Sequence, residues 1–315
     1  MKFGFQTTLN DRISLEGIGV HSGKPVSITL HPAEANTGIV FLRTHLDNGR
    51  EREIEARHTN VIDTRLCTVI GDPSRGSVAT IEHLMAALRG LGVDNVTVEV
   101  DGPEMPIMDG SSRAFVEAID QTGLEVLRAR RRPIKILKPV RVELGRAFAE
   151  FLPYDKGFKL DIEIDFDTPL IGRQRKTLDL TPESFRRDLS KARTFGFVKD
   201  VERLWENGLA LGSSLDNSIA LGDDRILNPE GLRYADEFVR HKALDAVGDL
   251  ALAGPTIVGH FRSYCGGHKL NFMMLEALFA DDNAWTLVDA PVRRETGHAE
   301  LSSGLAAAAF APDTN

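Results

Sequence analysis

The sequence predicts an α+β protein, and three observations predict it. Segments with period-2 alternation come in groups, and each group is followed by a segment of helical periodicity. This order occurs once on each side of an arginine- and proline-rich stretch at 127–139. At 315 residues, the chain is long enough for two domains. No residue-level repeat accompanies the repeated order, so two similar halves are inferred from element order alone.

The elements follow in sequence. SLEGIGV (14–20), VSITL (26–30) and GIVFL (38–42) are short, β-branched and apolar. The turn-forming HSGKP (21–25) and HPAEANTG (31–38) separate them. A helix is predicted over 80–92. Thr80 is its N-cap, Ile81, Leu84, Met85 and Leu88 form its apolar stripe, and Gly90 and Gly92 stop it. NVTVEV (95–100) alternates like a strand. SSRAFVEAIDQTG (111–123) reads as a second helix capped by Ser111 or Ser112. LRARRRPIKILKP (127–139) reads as a linker with its arginines in a solvated turn. VRVELG (140–145), AFAEFLP (147–153) and FKLDIEIDF (158–166) then begin a second strand group. Thr181 caps a helix over 181–192, with Pro182 at its first position. A short helix and Gly-rich turns follow at 193–222. The longest helical pattern, 232–254, ends at Gly254-Pro255, and the last runs 268–280. The boundary stretch 128–139 thus divides the chain into 1–127, 140–302 and a poorly ordered tail, 303–315.

Composition narrows the function classes. Hydrophobic residues are 42% and charged residues 27%, ordinary for a soluble globular chain. An excess of 46 acidic over 38 basic residues, net −8, argues against a general nucleic-acid binder. A local basic cluster for an anionic substrate remains compatible with that total. Only Cys67 and Cys265 are present, which excludes a disulfide framework and a four-cysteine zinc module and fits a reducing compartment. The start of the chain lacks the apolar core of a secretory signal, and no apolar run approaches the ~18 residues of a membrane span. The expectation is a cytoplasmic protein.

Nine histidines are present, and the informative ones have carboxylates at useful spacing. His241 and Asp245 stand at i and i+4, on one helix face, with Asp249 one turn beyond. His83 follows Glu82 in the first turn of the 80–92 helix. His83, His241 and Asp245 would form a two-histidine, one-carboxylate set of the kind that holds catalytic zinc and leaves a position open for water. Glu82 would be the base for that water. The same spacing also serves an ordinary helix-stabilising ion pair, and the H-E-x-x-H motif is absent. His268 follows Gly266 and Gly267 at a helix entrance, where backbone can approach a ligand closely.

These residues lie within longer motifs: EGIGVHSGKPVSITLHPAEANTGIVF (16–41), TIEHLMAALRGLGVDN (80–95), EMPIMDGSS (104–112), ARTFGFVKD (192–200), GLRYADEFVRHKALDAVGDL (231–250) and GGHKLNF (266–272). Through them the chain resembles the UDP-3-O-acyl-N-acetylglucosamine deacetylases, zinc enzymes of lipid A biosynthesis in Gram-negative bacteria, from about residue 5 to about 290. The resemblance implies two similar α+β domains, each a layered sheet/helix sandwich, with the active site at their interface. It implies zinc on His83, His241 and Asp245, with iron(II) as a possible substitute. The implied reaction hydrolyses the acetamide of a UDP-linked acylated glucosamine to a free amine and acetate.

Roles follow residue by residue. Glu82 would take the water's proton, and a protonated His268 would stabilise the oxyanion or protonate the amine. Asp249 would orient and charge His268, and Thr194 would hydrogen-bond the oxyanion. Lys242, with Arg240 and Lys269 nearby, would meet the diphosphate, and Phe166 would stack on the uracil. An inserted β–α–β unit within 195–222 would enclose the acyl chain, with Phe195, Phe197, Val198, Val201, Leu204, Leu215 and Ala220 as its walls. His21 would have a turn or substrate-edge role. The resemblance also implies a monomer without nucleic-acid partners. Two other readings compete: an amidohydrolase of the same architecture acting on another amide, and a non-catalytic sugar-nucleotide binder. Intact Glu82, His83, His241, Asp245 and His268 argue against the second, because a binding module has no use for a base beside a metal ligand.

Overall fold

The structure is a computed structural model that describes residues 4–46 and 49–289. The tail expected from 303 lies outside the described residues. Among them the fold is α+β, with two main sheets and the helices packed between and around them.

The first sheet has five strands, in the spatial order Ile13–Ile18, Pro25–Pro32, Val96–Val100, Ile39–Arg43, Arg52–Glu55. Neighbours are antiparallel except Val96–Val100 beside Ile39–Arg43. Alternation decides which face is inward: Val26, Ile28 and Leu30 are buried, whereas Ser27 is exposed. The second sheet has seven strands around Ile257–Tyr264. That strand runs antiparallel to Ala147–Leu152 and parallel to Phe158–Asp165 and Ile134–Ile136. Val140–Leu144, Arg173–Asp179 and Trp285–Leu287 complete it.

Six helices are described: α1 (Glu82–Leu91), α2 (Arg113–Thr122), α3 (Pro182–Ser184, continuing through a π turn to Leu189), α4 (Val198–Glu206), α5 (Glu237–Leu250) and α6 (His268–Phe279). α1 packs along α5, α5 leans on Phe158–Asp165 and Arg173–Asp179, and α6 lies against Val140–Leu144 and Ala147–Leu152. Apart from Arg89, every residue of α1 is buried. A helix buried on all sides sits inside a layered core and is not a surface helix. Gly248 permits the close approach of α1 and α5. A Cβ there would collide with the Glu82 carbonyl oxygen.

Several local expectations are corrected. Thr80 does not cap α1. Its φ is +58°, its hydroxyl donates to Glu104 Oε1 at 3.1 Å, and Ile81 holds the cap position. Gly90 does not stop α1 but lies within it, where a Cβ would collide with the Phe185 ring; Gly92, with φ +81°, ends the helix. Ser112 holds the cap position of α2, yet its hydroxyl donates to the His83 carbonyl at 2.7 Å. The Thr181 cap is as expected, including a capping box with Ser184 and Pro182 in the first turn. The longest helix begins at Glu237 instead of 232, and the Glu237 carboxylate at its start accepts the backbone N–H groups of Arg193 and Arg233.

The stretch 127–139 is largely strand instead of a structureless connection. Leu124–Arg130 pairs antiparallel with Phe5–Leu9, and Ile134–Ile136 joins the second sheet. Arg128 and Arg130 stay exposed on the paired strand, so their charges are solvated while the backbone is satisfied. Arg131 is not a solvated turn residue. It donates to Asp94 Oδ2 at 2.7 Å and to the Gly92 carbonyl at 2.6 Å, closing the C-terminal end of α1.

Candidate active site

The first turn of α1, the middle of α5 and the first turn of α6 converge on one cavity of about 600 Å³. His83 comes from α1, and His241 and Asp245 come from α5. One ligand atom from each lies within 4.8 Å of the others. Asp245 Oδ1 is 3.3 Å from His241 Nε2 and 3.7 Å from His83 Nε2. All three residues are buried.

This set fits a metal ion. Asp245 Oδ1 is buried with no hydrogen-bond partner among the described residues, an arrangement that costs free energy unless a cation satisfies it. Asp245 Oδ2 is already held by Lys242 Nζ at 3.0 Å. His241 Nδ1–H donates to the Ala192 carbonyl at 3.0 Å, which leaves the Nε2 lone pair facing Asp245. Burial and the neighbouring His241 push His83 down to about 3, so its ring is neutral at physiological pH. Burial opposes the charge on Asp245, but the cationic Lys242 and His268 beside it outweigh that and hold its carboxyl below the ordinary carboxylate range. Two neutral imidazoles and one carboxylate suit a divalent transition metal. Cys67 also lines the cavity, and burial pushes its thiol up to about 12, but it does not belong to the ligand cluster.

Beside the set stand Glu82 and His268. Glu82 is 3% exposed, and burial pushes its carboxyl up to about 7. Its Oε2 accepts the Thr68 N–H at 3.1 Å, and its Oε1 lies 3.9 Å from His268 Nε2. Burial works against a charge on His268, but Asp249 and Glu82 outweigh it and push the ring up to about 10. Its Nδ1–H donates to Asp249 Oδ2 at 2.8 Å. Asn271 Nδ2 donates to the same oxygen at 2.8 Å, and the Thr68 hydroxyl donates to Asp249 Oδ1 at 2.6 Å.

Thr194 lines the cavity. Its N–H donates to the Gly110 carbonyl, and its own carbonyl accepts from Ile219, each at 2.8 Å. The preceding Arg193 is 1% exposed and is held by Glu237, Glu230 and the Gly231 carbonyl. A parallel β–α–β unit spans the expected insert: Phe195–Phe197 pairs with Ile219–Leu221 across α4. Phe195, Phe197, Val198, Val201, Leu204 and Ala220 line the cavity, as do Lys242, Lys269 and His21.

Three assignments differ from expectation. Phe166 is not among the cavity walls; its ring packs behind Phe195 and Phe197, with centroids at 5.9 and 6.3 Å. Leu215 also lies outside the walls and is 43% exposed. Arg240 does not join Lys242 at the cavity but pairs with Asp236 and Asp188. Thr68, Ser112 and Glu237 were not anticipated. No local spacing marks Thr68, whereas Asn271, one helical turn after His268 within GGHKLNF, carried a readable signal.

The family model for UDP-3-O-acyl N-acetylglycosamine deacetylase matches residues 6–280. The chain belongs to this family. Its members include UDP-3-O-acyl-N-acetylglucosamine deacetylases from Brucella ovis and Brucella suis, each 52% identical over 287 residues, and one from Brucella melitensis, 51% identical over 287 residues. Each alignment covers 91% of this chain and 99% of the relative. The convergent His83, His241 and Asp245 are a possible metal-binding triad within a family of metalloenzymes. Among the described residues, no helix is long and apolar enough to cross a membrane.

Proposed function

We propose that the cavity is the hydrolytic site for a UDP-3-O-acyl-N-acetylglucosamine, releasing acetate and leaving the free amine, a step of lipid A biosynthesis. Family membership and the names of the relatives support the activity. The observation that carries the assignment of residues is the unpartnered Asp245 Oδ1 facing two neutral imidazoles beside Glu82. His83, His241 and Asp245 would hold zinc, with iron(II) as a substitute. When bound, the ion supplies Lewis acidity that activates water and polarises the amide carbonyl.

The chain's own residues divide the remaining work. Glu82, held by Thr68 N–H, accepts the proton of the attacking water. His268, kept protonated by Asp249, stabilises the oxyanion or gives its Nε2 proton to the leaving amine. Thr194 adds a hydroxyl donor to the oxyanion. Lys242 steadies Asp245 and presents its remaining N–H donors towards the anionic side of the substrate. Phe195, Phe197, Val198, Val201, Leu204 and Ala220 exclude water around the acyl chain. Phe166, whose ring packs against Phe195 and Phe197, would stack on the uracil.

The apolar walls favour this substrate over a plain N-acetyl sugar, which would leave them unused. The test combines metal analysis with an amine-release assay, with and without chelator. Metal-dependent release from the acyl-UDP sugar, well above that from simple N-acetyl sugars, is expected. Equal rates on both would sink the acyl-UDP assignment.

A further inference from the structure

We propose that Thr68 is a positioning residue for hydrolysis, setting two acidic side chains, Asp249 and Glu82, against His268. The proposal rests on the reading of the site given above. Thr68 directly precedes the strand Val69–Asp72 and is 2% exposed. Its two donors go to different helices. The N–H reaches Glu82 Oε2 on α1 at 3.1 Å, and the hydroxyl reaches Asp249 Oδ1 on α5 at 2.6 Å. One residue therefore ties together the group that accepts the water's proton and the group that orients His268.

The Asp249 carboxylate is held by a fan of three donors. Asn271 Nδ2 and His268 Nδ1 share Oδ2, each at 2.8 Å, and Thr68 alone holds Oδ1 among the described residues. With both oxygens engaged, the carboxylate cannot turn about its Cβ–Cγ bond. Oδ2 then stays on His268 Nδ1, and the imidazole keeps Nε2 towards Glu82 Oε1, 3.9 Å away. Without the hydroxyl, Oδ1 is buried and unpartnered, and the carboxylate turns to find another donor. The imidazole turns with it and leaves the geometry that proton transfer needs. A residue that merely filled space would not use both donors on the two acids that flank one histidine.

The test uses the full-length metal-loaded protein. Thr68→Val removes the hydroxyl at nearly constant shape, and Thr68→Ser restores it. The expected result for Thr68→Val is a kcat for amine release about 10–100-fold lower, with KM and bound metal unchanged. Thr68→Ser should recover most of the loss. In protein labelled with nitrogen-15 at histidine, the His268 Nδ1–H resonance should move in Thr68→Val and not in Thr68→Ser. Full kcat in Thr68→Val overturns the proposal, and so does a Thr68→Ser as slow as the valine variant. If the wild type releases no amine from the acyl-UDP sugar, the substrate reading fails. The His268 resonance then decides the positioning role by itself, and an unmoved resonance in Thr68→Val overturns it. Should the valine variant not fold, Thr68→Ala removes the same hydroxyl without added bulk and is judged by the same resonance.

Discussion

In the proposed reaction, burial and charge suit Glu82 and His268, two neighbouring groups, to opposite proton tasks. Burial raises Glu82 to about 7, which makes it a stronger base than an exposed carboxylate, while Asp249 and Glu82 lift His268 to about 10. Glu82 must be ionised to accept a proton, so activity falls as pH drops through its pKa. His268 must be protonated to donate, so activity falls as pH rises through its own. A cation bound nearby lowers both values, so the limbs of the loaded enzyme should lie below 7 and 10 but keep this order. The expected kcat/KM profile is a bell, and His268→Gln should lose its basic limb. A basic limb that survives this substitution would remove His268 from the proton path. Glu82→Gln should keep the metal and lose about 10²–10⁴-fold in kcat, measured as amine release alongside metal content. The residues that meet here stood out in the sequence as Glu82-His83 and His241 to Asp245, local patterns on two helices whose proposed roles came from the resemblance. Thr68 was not legible, because it meets Asp249 across 181 positions of chain.

At the scale of elements, the contact between α1 and α5 decides whether the ligands meet. Gly248 lies on that contact, and the atom its Cβ would strike is a backbone oxygen, which cannot swing aside as a side chain can. Alanine gains about 1 kcal/mol over glycine in a helix interior, whereas overpacking costs about 1–3 kcal/mol. The collision should win. Gly248→Ala is expected to lower the melting temperature by a few degrees and to cut activity further than stability, since it pushes Glu82 and His83 away from α5. A variant with wild-type melting and turnover would show that the helices have slack. Glycines in helices were the weakest part of the sequence reading for this reason. Gly90 reads as a stop in the sequence but makes room for Phe185, and nothing near Gly90 in the sequence announces that ring. The arginine-rich stretch at 127–139 failed similarly. Its charges suggested a solvated connection, while strand pairing with Phe5–Leu9 and capping of α1 by Arg131 depend on distant partners.

For the whole molecule, the candidate metal set draws one residue from α1 and two from α5, so a bound ion would fasten the two helices together. Binding only to the folded state stabilises it by about 2.7 kcal/mol at a hundred times the dissociation constant. Chelation should therefore lower the melting temperature of the wild type and leave His241→Ala, which should bind no metal, almost unmoved. An equal chelator effect on both would remove His241 from the coordination set. By itself, the sequence determined the α+β class and brought out His83, His241 and Asp245 as a candidate ligand set with Glu82 beside it, and its resemblance to a family implied the β–α–β unit over 195–222. The class rests on local periodicity, and the rest on contiguous motifs that carry the resemblance without knowledge of spatial neighbours. Only the tertiary structure decided that Phe166 stands behind the cavity wall, that Gly248 seats α1, and that Thr68 holds two acids at once. Those facts depend on which surfaces meet, and contacts between residues far apart in the chain leave no spacing to read.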